Sequence, residues 1–61
     1  MKLIKLTEVI EITCLTKPTI YRMISEGKFP KQVSLGERAV AWVECEILAW
    51  INERIEVRDN G

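Results

Sequence analysis

Apolar residues recur along this chain with two different periods, and the changes of period mark its elements. Leu3-Ile4-Lys5-Leu6 is a short apolar lead-in, expected to be extended. Leu6, Val9, Ile12 and Thr13 then share one side at helical spacing, which predicts a first helix over about residues 8–13. Thr7 suits its N-cap, and Glu8 falls in the first turn, where the helix dipole favours a negative charge. Thr13-Cys14-Leu15-Thr16 breaks the pattern. Thr16 is placed to cap a second helix, with Pro18 in the first turn, where a missing N–H does no harm. Ile20, Met23 and Ile24 form the inward stripe of that helix, and Pro18, Arg22 and Ser25 lie on the opposite side. The helix is expected to end near Ser25 or Glu26. Gly27 can take the left-handed stop conformation, and Lys28-Phe29-Pro30 prevents continuation.

Beyond Pro30 the period shortens. Gln32-Val33-Ser34-Leu35 and Ala39-Val40-Ala41-Trp42 alternate or carry β-formers, with Gly36-Glu37-Arg38 between them. That is a hairpin with a charged tip. A last helix begins near Glu44, with Val43, Ile47, Trp50, Ile51 and Ile55 on one side and Leu48 at the edge. Glu44 and Glu46 sit in its first turn, and Glu46 can reach back to an orphan N–H as in a capping box. Asp59-Asn60-Gly61 is expected to fray. The order is helix, tight turn, helix, two-stranded hairpin, helix, in one domain spanning residues 1–61. The fold class is mainly α with a small β-hairpin, a winged helix-turn-helix.

Length and composition narrow what this order can do. Sixty-one residues hold a marginal core that must use nearly every apolar side chain. Ile20, Met23, Ile24, Phe29, Trp42, Ile47, Trp50 and Ile51 are assigned to it. A hydrophobic share of 48% is that of a globular chain. The apolar runs are too short for a membrane span or a signal peptide, so a cytoplasmic, nucleoid-associated protein is expected. The two cysteines, Cys14 and Cys45, are expected as free thiols in a reducing cytosol. With no histidine beside them, no metal site and no cofactor are expected. An enzyme is disfavoured, because the chain lacks a nucleophile with a base, a Gly-rich phosphate loop and the volume for a pocket.

The net charge is zero, but its distribution is uneven. Residues 1–40 carry Lys2, Lys5, Lys17, Arg22, Lys28, Lys31 and Arg38 against Glu8, Glu11, Glu26 and Glu37, or 7 − 4 = +3. Residues 41–61 carry Arg54 and Arg58 against Glu44, Glu46, Glu53, Glu56 and Asp59, or 2 − 5 = −3. One end can therefore face phosphates while the other faces solvent or a partner protein. Surface charge that merely happens to segregate would look the same.

Two short helices joined by a three- or four-residue turn place the second in the major groove, which is wide enough to admit it. Lys17 then reaches a phosphate or a guanine edge. Pro18 and Thr19 offer apolar surface to a thymine methyl, and Thr19 adds a hydroxyl. Tyr21 flanks the helix with a phenol for a phosphate oxygen, and Arg22 is the best candidate for a bidentate contact to guanine. The hairpin serves as a wing: Arg38 at its tip, with Lys28 and Lys31 on the approach, follows the backbone or the adjacent minor groove. Taken singly these are also ordinary surface residues, and Tyr21 also reads as cover for the core edge. Their joint placement on the second helix and hairpin, largely avoiding the last helix, favours the DNA reading.

The chain resembles the AlpA-type regulators of phage and prophage origin, within the MerR-like and excisionase-like winged helix-turn-helix group. The resemblance is carried by Leu6-Thr7-Glu8-Val9, by Leu15 through Ile24, and by Gly27-Lys28-Phe29-Pro30-Lys31. It continues through Val33-Ser34-Leu35-Gly36, Arg38 through Trp42 and Glu46 through Ile51, covering roughly residues 5–55. It implies a DNA-binding regulator that activates an integrase or excision gene. By position it implies Lys17, Pro18, Thr19, Tyr21 and Arg22 as recognition-helix residues, with Arg38 on the wing. Two positions depart from the family pattern: Cys14 stands where glycine is common, and Pro18 where serine or arginine is usual.

Three functions are consistent with this reading. The first is a sequence-specific transcriptional regulator acting on double-stranded DNA, with the acidic last helix as the surface for RNA polymerase. The second is an excisionase-type factor that bends DNA at an attachment site beside a recombinase. The third is a protein-binding module without a DNA role. For either DNA role, dimeric or tandem binding is expected, since so small a reader covers little DNA.

Overall fold

The helix-turn-helix pivots on one side chain. In the computed structural model, which describes residues 1–60, Cys14 has φ 61° and ψ 20°, the left-handed region. Its N–H closes the last bond of α1 (Leu6–Thr13) to the Ile10 carbonyl at 2.8 Å. The Thr13 hydroxyl then binds the turn together. It donates to the Val9 carbonyl at 2.7 Å and accepts the Leu15 N–H at 3.3 Å. A carbonyl of the finished helix and an N–H of the exposed turn are thus both satisfied by one residue.

α1 starts earlier than the capping pattern suggests. Lys5 is the N-cap and makes no side-chain capping bond, so Thr7 lies inside the first turn. The Lys5 carbonyl accepts the Val9 N–H at 3.1 Å, which winds the helix directly from the preceding strand. Leu6, Val9, Ile10 and Thr13 form the inward stripe, and Ile12 stands 38% exposed at its side.

α2 (Lys17–Ser25) begins at Thr16 as expected, with Pro18 in its first turn. The Thr16 hydroxyl does not cap the backbone; it meets the Thr19 hydroxyl at 2.9 Å. The far end is a Schellman stop. Gly27 has φ 73°, its N–H bonds the Ile24 carbonyl at 3.0 Å, and the Lys28 N–H bonds the Met23 carbonyl at 2.8 Å.

The sheet has three strands, not the two of a simple hairpin. The lead-in forms β1 (Leu3–Ile4), and the hairpin supplies β2 (Val33–Ser34) and β3 (Val40–Val43), in the antiparallel order β1-β3-β2. Leu3 pairs with Val43 and Ile4 with Trp42 on one side of β3; Val33 pairs with Ala41 and Ser34 with Val40 on the other. The Leu35 N–H to Ala39 carbonyl bond, 2.7 Å, closes the hairpin around Gly36-Glu37-Arg38.

α3 (Glu44–Asn60) follows β3 without a break. The Glu44 N–H is taken by the Lys2 carbonyl at 2.8 Å, so the neighbouring strand satisfies it and not a Glu46 capping box. Asp59 and Asn60 remain helical, whereas Gly61, also expected to fray, lies outside the described residues. Among the described residues no helix is long and apolar enough to cross a membrane.

One cluster joins every element except the short edge strand β2. Ile4, Val9, Ile20, Phe29, Trp42 and Ile47 are buried, one each from β1, α1, α2, the connector after α2, β3 and α3. Leu6, Ile10, Leu15, Tyr21, Met23, Ile24, Trp50 and Ile51 pack around them, partly buried. Ile55 shares one side of the helix with Ile47 and Ile51 by spacing, yet it is 42% exposed because α3 outruns the body that would cover it.

Candidate nucleic-acid interface

With Ile20 buried and Met23 and Ile24 packed on the core, the other side of α2 is left to solvent. Lys17, Pro18 and Arg22 are exposed there, and Thr19 is half-buried. Thr19 is held by its hydroxyl pair with Thr16, which fixes the side chain on the first turn of the helix. Tyr21 divides its loyalties. Its ring packs edge-on against Trp42, with centroids 6.3 Å apart and planes at 63°. The phenol therefore sits on a body anchored to the core, an arrangement that suits an amphipathic ring.

The connector from α2 to the wing is held by both tryptophans. The Trp50 indole N–H donates to the Lys28 carbonyl at 2.8 Å, and the Trp42 indole N–H donates to the Pro30 carbonyl at 3.2 Å. Between these points Phe29 is buried, its ring 4.8 Å from that of Trp50 in an edge-to-face pair. Three consecutive residues are thereby fixed by backbone and by side chain. Lys28 and Lys31, on either side of the Phe29-Pro30 pair, are left exposed. The composition gives a signal here, since a packed indole needs an acceptor. Which carbonyl it finds is a tertiary matter and not readable from spacing.

Arg38 is exposed in the hairpin loop, as its position between the strands requires. Among the described residues, no carboxylate lies within 4.0 Å of Lys17, Arg22, Lys31 or Arg38. Lys28 is the exception, with Glu26 at 4.0 Å, a loose exposed pair that contributes little. Four cations are thus free of internal partners, on α2, on the connector and on the wing. Both thiols are free and exposed. Among the described residues no group of three His, Cys, Asp or Glu side chains is arranged to hold a metal ion.

Comparison with known proteins bears on this arrangement. Residues 2–55 match the family described as prophage CP4-57 regulatory protein (AlpA). An uncharacterised protein, ORF88 of Enterobacteria phage P4, is 42% identical over 60 residues, covering 98% of this chain and 68% of the relative. The DNA-binding transcriptional activator AlpA of Escherichia coli K12 is 30% identical over 63 residues, covering 93% of this chain and 90% of the relative. Family match and fold agree over the helix-turn-helix, the connector, the wing and most of the last helix: the chain belongs to the AlpA family of prophage regulatory proteins.

Proposed function

We propose that this chain is a sequence-specific DNA-binding transcriptional regulator of phage or prophage origin, acting as one winged helix-turn-helix domain over residues 1–61. α2 lies in the major groove, with Lys17, Pro18, Thr19 and Arg22 towards the bases and Tyr21 on a flanking phosphate. Lys28, Lys31 and Arg38 follow the backbone and the adjacent minor groove. The observation that carries this reading is the set of exposed, unpaired cations on α2, connector and wing, in a chain whose E. coli relative is named a DNA-binding transcriptional activator. Phosphate contacts supply affinity and register, and base contacts from Arg22 supply selectivity. The acidic side of α3, with Glu53 and Glu56, is the surface left for RNA polymerase.

The test is selection of fragmented genomic DNA on the purified protein, followed by a salt titration on the best fragment. Enrichment of one short motif beside a promoter, with affinity falling steeply as salt rises, is the expected result. Clustered sites beside an integrase attachment site would replace the promoter role with a recombination role. Absence of enrichment at low salt by folded protein would overturn DNA binding altogether.

A further inference from the structure

Past Ile51 the last helix leaves the body of the molecule. α3 has 17 residues, a length of about 25 Å at 1.5 Å per residue. Every residue from 52 to 60 is exposed. A projecting helical arm keeps its shape poorly in water unless one face is packed. This arm does carry such a face. Glu44, Leu48, Ile51, Ile55 and Arg58 follow one another at alternating intervals of four and three residues, the spacing of a helix–helix seam. Leu48 is 49% exposed and Ile55 42%, and Ile51 is only partly covered. Ile12, 38% exposed at the end of α1, joins Ile51, Ile55, Arg54 and Arg58 in a shallow groove along the arm.

We propose that a second copy of this chain occupies this seam, with its α3 antiparallel to the first. The ends of the seam select both occupant and orientation. Pairing about Ile51 sets Glu44 opposite Arg58 of the second copy, and Arg58 opposite its Glu44, because 44 + 58 = 51 + 51. Leu48 then lies beside Arg54 and Ile55 of the second copy. A parallel pairing would set Glu44 against Glu44 and Arg58 against Arg58, which repels at both ends. Each projecting arm thus lies along the body of the other copy. The present partners of the end charges do not oppose this. Glu44 is 3.7 Å from the exposed Lys2 ammonium, and Arg58 pairs with its own neighbour Asp59 at 2.9 Å. The Arg58–Asp59 pair is exposed and the Lys2–Glu44 pair joins an exposed ammonium to a half-buried carboxylate at a loose distance, so both exchange at little cost. Glu53 and Glu56 fall on the opposite side of the helix and stay free. The contact is independent of the DNA reading and is measured without DNA.

Sedimentation equilibrium over a wide protein range is the test, with circular dichroism to confirm folding. A reversible monomer–dimer equilibrium is expected. Ile55→Glu and Leu48→Asp, both at exposed positions, should each abolish the dimer and leave the monomer folded. Arg58→Glu should weaken it about tenfold, since two end pairs turn from attraction to repulsion. Glu44→Arg combined with Arg58→Glu should restore it. A monomer at all concentrations, or a dimer indifferent to Ile55→Glu and Leu48→Asp, overturns the proposal. Association unchanged by Arg58→Glu would mean a parallel pairing, in which one like-charge contact merely replaces another, or a different register; either overturns the antiparallel seam.

Discussion

Cys14 holds a left-handed backbone with a β-carbon attached, a conformation that glycine adopts without strain. Replacing it by glycine should raise the unfolding free energy by about 1 kcal/mol, less the entropy that glycine adds to the unfolded chain. Urea denaturation measures this. Thr13 shows why the wild-type turn nonetheless holds: its hydroxyl serves both the Val9 carbonyl and the Leu15 N–H. Thr13→Val keeps the shape and removes both bonds, and should cost about 1–2 kcal/mol in the same assay. At the interface, Arg22→Ala should cost about 1–3 kcal/mol of specific binding with the fold intact, measured by titration against matched and mismatched sites. Unchanged discrimination would remove Arg22 from the groove.

Backbone preferences mark some element ends and made these legible in the sequence, whereas the side-chain caps expected from Thr7, Thr16 and Glu46 do not form. Pro18 in the first turn, Gly27 at the stop and the charged hairpin loop all stand where their backbone preferences place them. Gly27→Ala makes a clean test of the stop. An added β-carbon would meet nothing within 4 Å, so the expected loss of about 1 kcal/mol is backbone strain alone. What spacing did not disclose is what requires a distant partner. The apolar lead-in gave no sign that it would pair with β3, and Ile12 fell outside the core because Ile10 packs in its place. The basic residues of the candidate site were visible as a list. The clamp that orients them was not, since two indoles choose carbonyls 12 and 22 residues away. Trp50→Phe keeps a ring beside Phe29 and removes the N–H. It should lower DNA affinity through a less constrained connector while leaving the salt slope unchanged, because no charge is lost; a steeper or shallower slope would contradict a purely positional role.

The separation of charge along the chain survives in the folded molecule as unpaired cations on α2, connector and wing and a predominantly acidic last helix. A zero net charge therefore does not predict weak DNA binding, because affinity follows local phosphate neutralisation and not the sum over the chain. Lys31→Ala should weaken all DNA sequences about equally and lower the slope of log affinity against log salt by about 1. A loss confined to one sequence would instead make Lys31 a reader of bases. The sheet adds a property of another kind. β1 joins Leu3 to Val43, a closure of 43 − 3 = 40 residues, and the core residue Ile4 arrives with it. The helices and the hairpin are local structures that form in microseconds, whereas this closure must wait for the ends of a long loop to meet. Refolding is thus expected to be limited by the closure of β1 onto β3. An extension fused ahead of Met1 would load the slowest step of folding, and one placed after Gly61 would spare it.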